Sequence, residues 1–127
     1  MQEAEPGQGM AQMEANDIRV KQMLLYIMEH YQSRISVREL AGAANISERE
    51  CYRLFKQYLG QSPNLVVQSY RIQRAKNLLS TTGMPVTEIS CATGFESISY
   101  FSKIFKRLTN MTPLEFRSFQ KSGWKKT

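Results

Sequence analysis

Apolar residues along this chain recur at intervals of three and four and never alternate with period two over a strand's length, so the pattern predicts helices and no sheet. Seven helices are expected, at about 17–31, 36–44, 48–59, 63–81, 86–93, 98–109 and 113–121, which makes the fold class all-α. In the first of them Ile18, Met23, Ile27 and Tyr31 keep helical spacing, Val20, Leu24 and Met28 widen the face, and Asn16 is placed to cap its start. Three later starts carry the Ser/Thr-x-x-Glu capping box: Ser36 with Glu39, Ser47 with Glu50, Thr112 with Glu115. Pro63 and Pro113 stand at the first helical position, where a missing N–H costs nothing. Breaks fall at Asn45, Gly60, Thr82-Gly83, Gly94 and Asn110, at or beside residues that tolerate a left-handed turn.

The pattern nearly repeats once. Val37, Glu39, Leu40 and Ala43 recur as Val86, Glu88, Ile89 and Ala92, a shift of 49. After one inserted residue the shift is 50, and Ser47, Arg53, Leu54, Phe55, Lys56, Ser62 and Pro63 recur as Ser97, Lys103, Ile104, Phe105, Lys106, Thr112 and Pro113. Two copies are too few for a solenoid. Each copy is a helix, a short turn around Asn45-Ile46-Ser47 or Gly94-Phe95-Glu96-Ser97, and a second helix, which is the helix-turn-helix arrangement. The first unit is expected at 36–59, the second at 86–109, with 63–81 as a long connecting helix between two homeodomain-like lobes.

The second helix of each pair sorts its residues alike. Cys51, Leu54, Phe55 and Tyr58 form an inward stripe, leaving Arg49, Arg53 and Lys56 outward; 50 residues on, Phe101, Ile104, Phe105 and Leu108 point inward and Ser99, Lys103 and Lys106 outward. Tyr52 and Ser102 flank the two outward stripes. Such faces suit base edges and phosphates. They also fit solvated helix surfaces, or a helical protein-interaction module that docks an acidic partner or RNA polymerase. The connecting helix, at about 1.5 Å per residue, is roughly 28 Å long, against about 34 Å between successive major grooves on one face of B-DNA.

Charge adds to this picture. Three of the 11 acidic residues and none of the 17 Lys and Arg lie in residues 1–16, so the remainder carries net +9. That balance favours a polyanionic partner. Residues 1–16 lack periodicity and read as a flexible tail or linker remnant; residues 122–127 read as a basic tail around Trp124. No apolar run could span a bilayer and the N-terminus has no signal-peptide character, so the expectation is cytoplasmic, without membrane association. Cys51 and Cys91 form no CxxC motif, and a single histidine, His30, completes no zinc cluster. Cys51 aligns with inward Phe101 and reads as a core residue; Cys91 aligns with Gly42, where small size between packed helices accounts for both. With no phosphate loop, paired carboxylates, metal cluster or activated nucleophile, the chain is expected to be no enzyme and to need no cofactor or metal.

At this point specific residues match a family. The stretches Leu40-Ala41-Gly42-Ala43-Ala44-Asn45-Ile46-Ser47, Arg53-Leu54-Phe55-Lys56 and Arg71-Ile72-Gln73-Arg74-Ala75-Lys76-Asn77-Leu78-Leu79 carry the first part of the match. Ile89, Ala92, Gly94-Phe95, Ser99-Tyr100-Phe101-Ser102-Lys103-Ile104-Phe105-Lys106, Met111-Thr112-Pro113 and Phe116-Arg117 carry the second. Over about residues 17–120 the chain resembles the DNA-binding domain of the AraC/XylS-type bacterial transcription regulators. The resemblance implies sequence-specific binding of double-stranded DNA by one monomer, with two recognition helices in successive major grooves. It implies base reading by Arg49, Tyr52 and Arg53 in the first unit and by Ile98, Ser99 and Lys103 in the second. Backbone contacts would come from Ser36, Ser47, Lys56, Thr87, Ser97 and Lys106. It also implies that larger members carry a separate N-terminal effector or dimerisation domain; RNA polymerase is a further expected partner. Asn110 stands where the family usually has Gly, Glu48 and Glu50 place acids at the start of the first reading helix, and Ile98 offers only an apolar contact, suited to a thymine methyl.

Overall fold

A computed structural model describes residues 6–126, with side chains over 9–121. It contains α1 (Pro6–His30), α2 (Val37–Ala43), α3 (Glu48–Leu59), α4 (Pro63–Thr81), α5 (Val86–Ala92), α6 (Ile98–Thr109) and α7 (Pro113–Lys126). No strand occurs among the described residues, and the fold is all-α. None of these helices is long and apolar enough to cross a membrane. The chain divides into two units: residues 1–29 with 35–64, and residues 30–34 with 65–127.

In the first unit the buried apolar side chains are Val20, Met23 and Ile27 of α1, Leu40 and Ala41 of α2, Ala44 after it, and Cys51, Leu54 and Phe55 of α3. α2 packs on α3. Ser36 and Glu39 close the capping box on α2, Ser36 Oγ accepting from the Glu39 N–H at 3.1 Å and Glu39 Oε1 from the Ser36 N–H at 2.8 Å. Asn45 holds φ +60 between the two helices and Gly60 holds φ +68 at the end of α3.

In the second unit Ile72, Ala75 and Leu79 of α4, Ile89 of α5, Phe95, Phe101, Ile104 and Phe105 around and within α6, and Phe116 of α7 form one core. Its aromatic rings follow one another edge to face or tilted, Phe95 to Phe101 at 5.0 Å, Phe101 to Phe105 at 5.7 Å and Phe105 to Phe116 at 5.6 Å, within the range where ring quadrupoles attract. Thr112 and Glu115 close the capping box on α7. Arg117 donates back to the carbonyl of Leu79, which the end of α4 leaves without a helical partner, and to those of Thr82 and Met84 in the turn that follows.

Several expectations need correction. α1 starts at Pro6 rather than near residue 17, because Ala11 to Ala15 are helix formers that continue the helix towards the N-terminus. Asn16 therefore caps nothing: it lies buried inside α1, its Oδ1 accepting from Arg19 Nη1 at 2.9 Å and Gln12 Nε2 at 3.3 Å. Ile18 and Met28 are exposed, so the inward face of α1 is Val20, Met23 and Ile27. α7 runs on through residues 122–126, where a basic tail is expected. Residues 1–5, Thr127 and the Trp124 side chain lie outside the described residues. Leu108 is only partly covered, at 37% exposed, because Phe101, Ile104 and Phe105 already fill the inward side of α6. Cys91 is also exposed, and a Cβ built on Gly42 meets nothing within 4 Å, so packing does not require small residues at that pair of positions.

Cys51 is fully buried, and burial, with Glu48 as a lesser cause, pushes its thiol up to about 11. Only thiolates attack disulfide reagents readily. Titration with such a reagent at pH 7.5 should therefore show one fast thiol, Cys91, and a second only in denaturant; two fast thiols would contradict the burial of Cys51.

Candidate nucleic-acid interface

The twelve positions expected to face DNA are all exposed. In the first unit Arg49, Tyr52, Arg53 and Lys56 lie on the outer side of α3, with Tyr52 51% exposed although aromatic. Ser47 is the N-cap of α3 and Ser36 the N-cap of α2. In the second unit Ile98, Ser99, Lys103 and Lys106 lie on the outer side of α6, Ser97 is its N-cap and Thr87 sits in the first turn of α5. Each unit thus gathers three candidate base readers on one helix, two candidate backbone contacts at helix starts, and a third, Lys56 or Lys106, in the last turn of the reading helix.

The cap geometry sets what the serines can do. Ser36, Ser47 and Ser97 accept, respectively, from the N–H groups of Glu39, Glu50 and Tyr100, each at 3.1 Å. Accepting through a lone pair leaves the hydroxyl hydrogen to donate. A serine that caps its helix can therefore also donate to an anionic oxygen, at the helix end where exposed N–H groups and the helix dipole favour negative charge.

The two outer faces differ in charge. α3 carries Glu48 and Glu50 beside Arg49, Arg53 and Lys56, whereas α6 carries Lys103, Lys106 and Arg107 and no acid. Arg53 is held along α3: Glu50 takes its Nε at 3.1 Å and its Nη2, and Gln57 takes Nη1 at 2.9 Å. The Arg53 hydrogen bond to Glu50 holds the Glu50 carboxyl below the usual carboxylate range and raises Arg53 in turn. Lys103 has no carboxylate within ion-pair distance among the described residues. Sequence reasoning missed the Glu50–Arg53–Gln57 group, although its i, i+3, i+7 spacing on one helix face was the available signal.

Of the connector bases, Arg71 turns inward. Only 8% exposed, it donates from Nε to the Tyr31 carbonyl at 2.9 Å and from Nη2 to the Ser33 carbonyl at 2.7 Å, with its guanidinium 5.9 Å from the centre of the Phe95 ring. Lys76 lies 5.8 Å from the centre of the Phe116 ring. Among the described residues no group of His, Cys, Asp and Glu could hold a metal ion.

Comparison with known proteins places this geometry. The helix-turn-helix domain family matches residues 40–118. The chain is 42% identical over 99 residues to the HTH-type transcriptional regulator YdeC of Bacillus subtilis, a match covering 78% of this chain and 34% of that protein. It is 37% identical over 103 residues to the arabinose operon regulatory protein of Escherichia coli, covering 80% and 35%. The chain thus spans about a third of the length of these curated relatives. Among solved structures, an AraC-type transcriptional regulator from Chromobacterium violaceum superposes with a TM-score of 0.78 at 29% identity, covering 84% of this chain and 96% of that one. The DNA-binding domain of AdpA, solved in complex with a target DNA, gives 0.77 at 25% identity, covering 82% and 94%. Two helix pairs with serine-capped second helices, the match over both and these relatives agree: the chain belongs to the AraC-type family of helix-turn-helix proteins.

Proposed function

We propose that this chain is the DNA-binding part of a bacterial transcription regulator, binding a specific double-stranded sequence with α3 and α6 in successive major grooves. The observation that carries this reading is the repeated helix pair, each with a serine-capped second helix that presents an exposed donor-rich outer face at equivalent positions. The DNA-bound AdpA domain, similar along most of both chains, supports it. Base reading falls to Arg49, Tyr52 and Arg53, and to Ile98, Ser99 and Lys103. Ser36, Ser47, Lys56, Thr87, Ser97 and Lys106 contact the sugar-phosphate backbone. The chain acts as a binding protein in the cytoplasm rather than as an enzyme. In the intact regulator RNA polymerase and an effector or dimerisation domain are its further partners, in keeping with relatives about three times as long.

Selection from a random duplex pool tests the reading. A consensus with two informative blocks about one helical turn apart is expected, with affinity falling steeply as salt rises. Arg53→Ala and Lys103→Ala should each cost about 1–3 kcal/mol and relax preference within one block only. Equal weakening on all sequences would assign both residues to phosphate. Recovery of no preferred sequence would defeat the proposal and return the basic faces to a protein-docking role.

A further inference from the structure

The three glutamates at capping-box positions are used differently. Glu39 and Glu115 each reach back to the N–H of their N-cap residue, at 2.8 and 2.9 Å. Glu50 holds the same position after Ser47, and its own backbone N–H is capped at 3.1 Å, yet its carboxylate runs forward to Arg53. Oε1 accepts from Arg53 Nε, Oε2 accepts from Nη2, and one turn later Gln57 Oε1 accepts from Nη1.

Donor counting gives this arrangement a meaning. A guanidinium carries five N–H groups, one on Nε and two on each terminal nitrogen. Glu50 and Gln57 engage three of them. What remains is one N–H on Nη1 and one on Nη2, the pair of donors that a bidentate contact with guanine O6 and N7 requires. The same carboxylate works against phosphate, because it cancels much of the charge that would attract the DNA backbone. Without such partners an arginine on a flexible stem serves either target.

We propose that Glu50, assisted by Gln57, is a specificity-determining positioning residue that confines Arg53 to a guanine edge and lowers its attraction to phosphate. This rests on the DNA-binding reading above. The second unit has no counterpart: at the equivalent positions, 50 residues on, stand Tyr100, Lys103 and Arg107. Tyr100 hydrogen-bonds through its hydroxyl to Gln68 rather than to Lys103, and a lysine ammonium is a point charge with no planar fork to orient. The carboxylate-and-amide clamp on a reading side chain thus belongs to the first unit, while Lys103 in the second carries no such partner at the equivalent positions.

The test compares the wild-type chain, Glu50→Gln, Gln57→Ala and Arg53→Ala on three duplexes: the selected consensus, a scrambled sequence, and the consensus with 7-deazaguanine at the guanine opposite Arg53. Since Ser47 caps the backbone N–H of residue 50, Glu50→Gln keeps that cap, and an unchanged unfolding midpoint verifies it. Glu50→Gln should bind the scrambled duplex roughly three- to tenfold more tightly, with a salt slope steeper by about 1. Its preference for consensus over scrambled DNA should fall about tenfold, and its loss on 7-deazaguanine should shrink from about tenfold to under threefold. Gln57→Ala should lose part of the preference without the gain on scrambled DNA. A Glu50→Gln chain that keeps the wild-type preference and 7-deazaguanine sensitivity would overturn the proposal. So would an Arg53→Ala chain that keeps the consensus, although DNA binding itself would then stand. A wild-type chain that selects no consensus would instead overturn the reading on which the proposal rests.

Discussion

Gly94→Ala is expected to destabilise the second unit by about 3–5 kcal/mol, lowering its unfolding midpoint by about 15–30 °C. Two independent causes add. Gly94 sits at φ +94, where an L side chain is strained by about 1–3 kcal/mol. A Cβ there would also lie 2.2 Å from the Tyr31 carbonyl oxygen and 2.9 Å from Arg71 Nε. The first neighbour is backbone and cannot swing aside, and forcing extra volume into a packed site costs about 1–3 kcal/mol more. The displaced carbonyl is itself the acceptor of the Arg71 hydrogen bond, so the substitution weakens that contact as well. Calorimetry, followed with the second-unit aromatic signals, would measure the loss; a midpoint within a few degrees of wild type would mean that the turn relaxes freely.

Two other glycines supply controls with different signs. Gly60 has φ +68 but open space around its missing Cβ, so Gly60→Ala should cost only the conformational strain, about 1–2 kcal/mol. Gly42 has neither feature, lies within α2, and is matched in the repeat by exposed Cys91. Gly42→Ala should therefore stabilise the first unit by about 0.5–1 kcal/mol through helix propensity.

These glycines also mark how far the sequence could be read. Local chemistry was legible: α3, α4 and α6 have the expected limits, and Asn45, Gly60, Gly94 and Asn110 all adopt positive φ. Those features depend on residues within one turn of each other, as capping, proline placement and helical periodicity do. The exposed faces of α3 and α6 were legible for the same reason, since an inward stripe fixes its opposite. What the pattern could not give were contacts between residues far apart in the chain. Nothing in the pattern of residues 31–34 shows that Tyr31 and Ser33 offer carbonyls to Arg71, that Gln32 donates to the Ala92 carbonyl, or that Arg34 pairs with Glu96. Nothing in the sequence pattern separates Arg71 from Arg74 and Lys76, the other bases of α4. The position of Gly94 showed a turn, whereas the reason that it tolerates nothing larger lies 63 residues earlier, at Tyr31.

Arg71→Ala should be nearly as damaging as Gly94→Ala, at about 3–4 kcal/mol, and for reasons that separate it from a DNA-contacting arginine. Its guanidinium is desolvated, and burial lowers its hold on the proton. Among the described residues no carboxylate hydrogen-bonds to it; two backbone carbonyls and the Phe95 ring face compensate instead. Hydrogen bonds made by a charged donor contribute about 1.5–3 kcal/mol each, and truncation strands two carbonyls at once. Arg71→Lys should recover less than half of the loss, because one ammonium cannot span both acceptors in the plane that the fork occupies. Combined with Gly94→Ala, the loss should be clearly less than the sum, since both substitutions break the same Arg71–Tyr31 contact. The decisive comparison is with Arg53→Ala: Arg53 is exposed, so its removal should leave the unfolding midpoint almost unchanged while changing DNA preference. Arg71→Ala should show the opposite, a collapsed midpoint, with any remaining folded chain selecting the wild-type consensus. An Arg71→Ala chain of normal stability but altered base preference would move this side chain from the core of the second unit to its reading face.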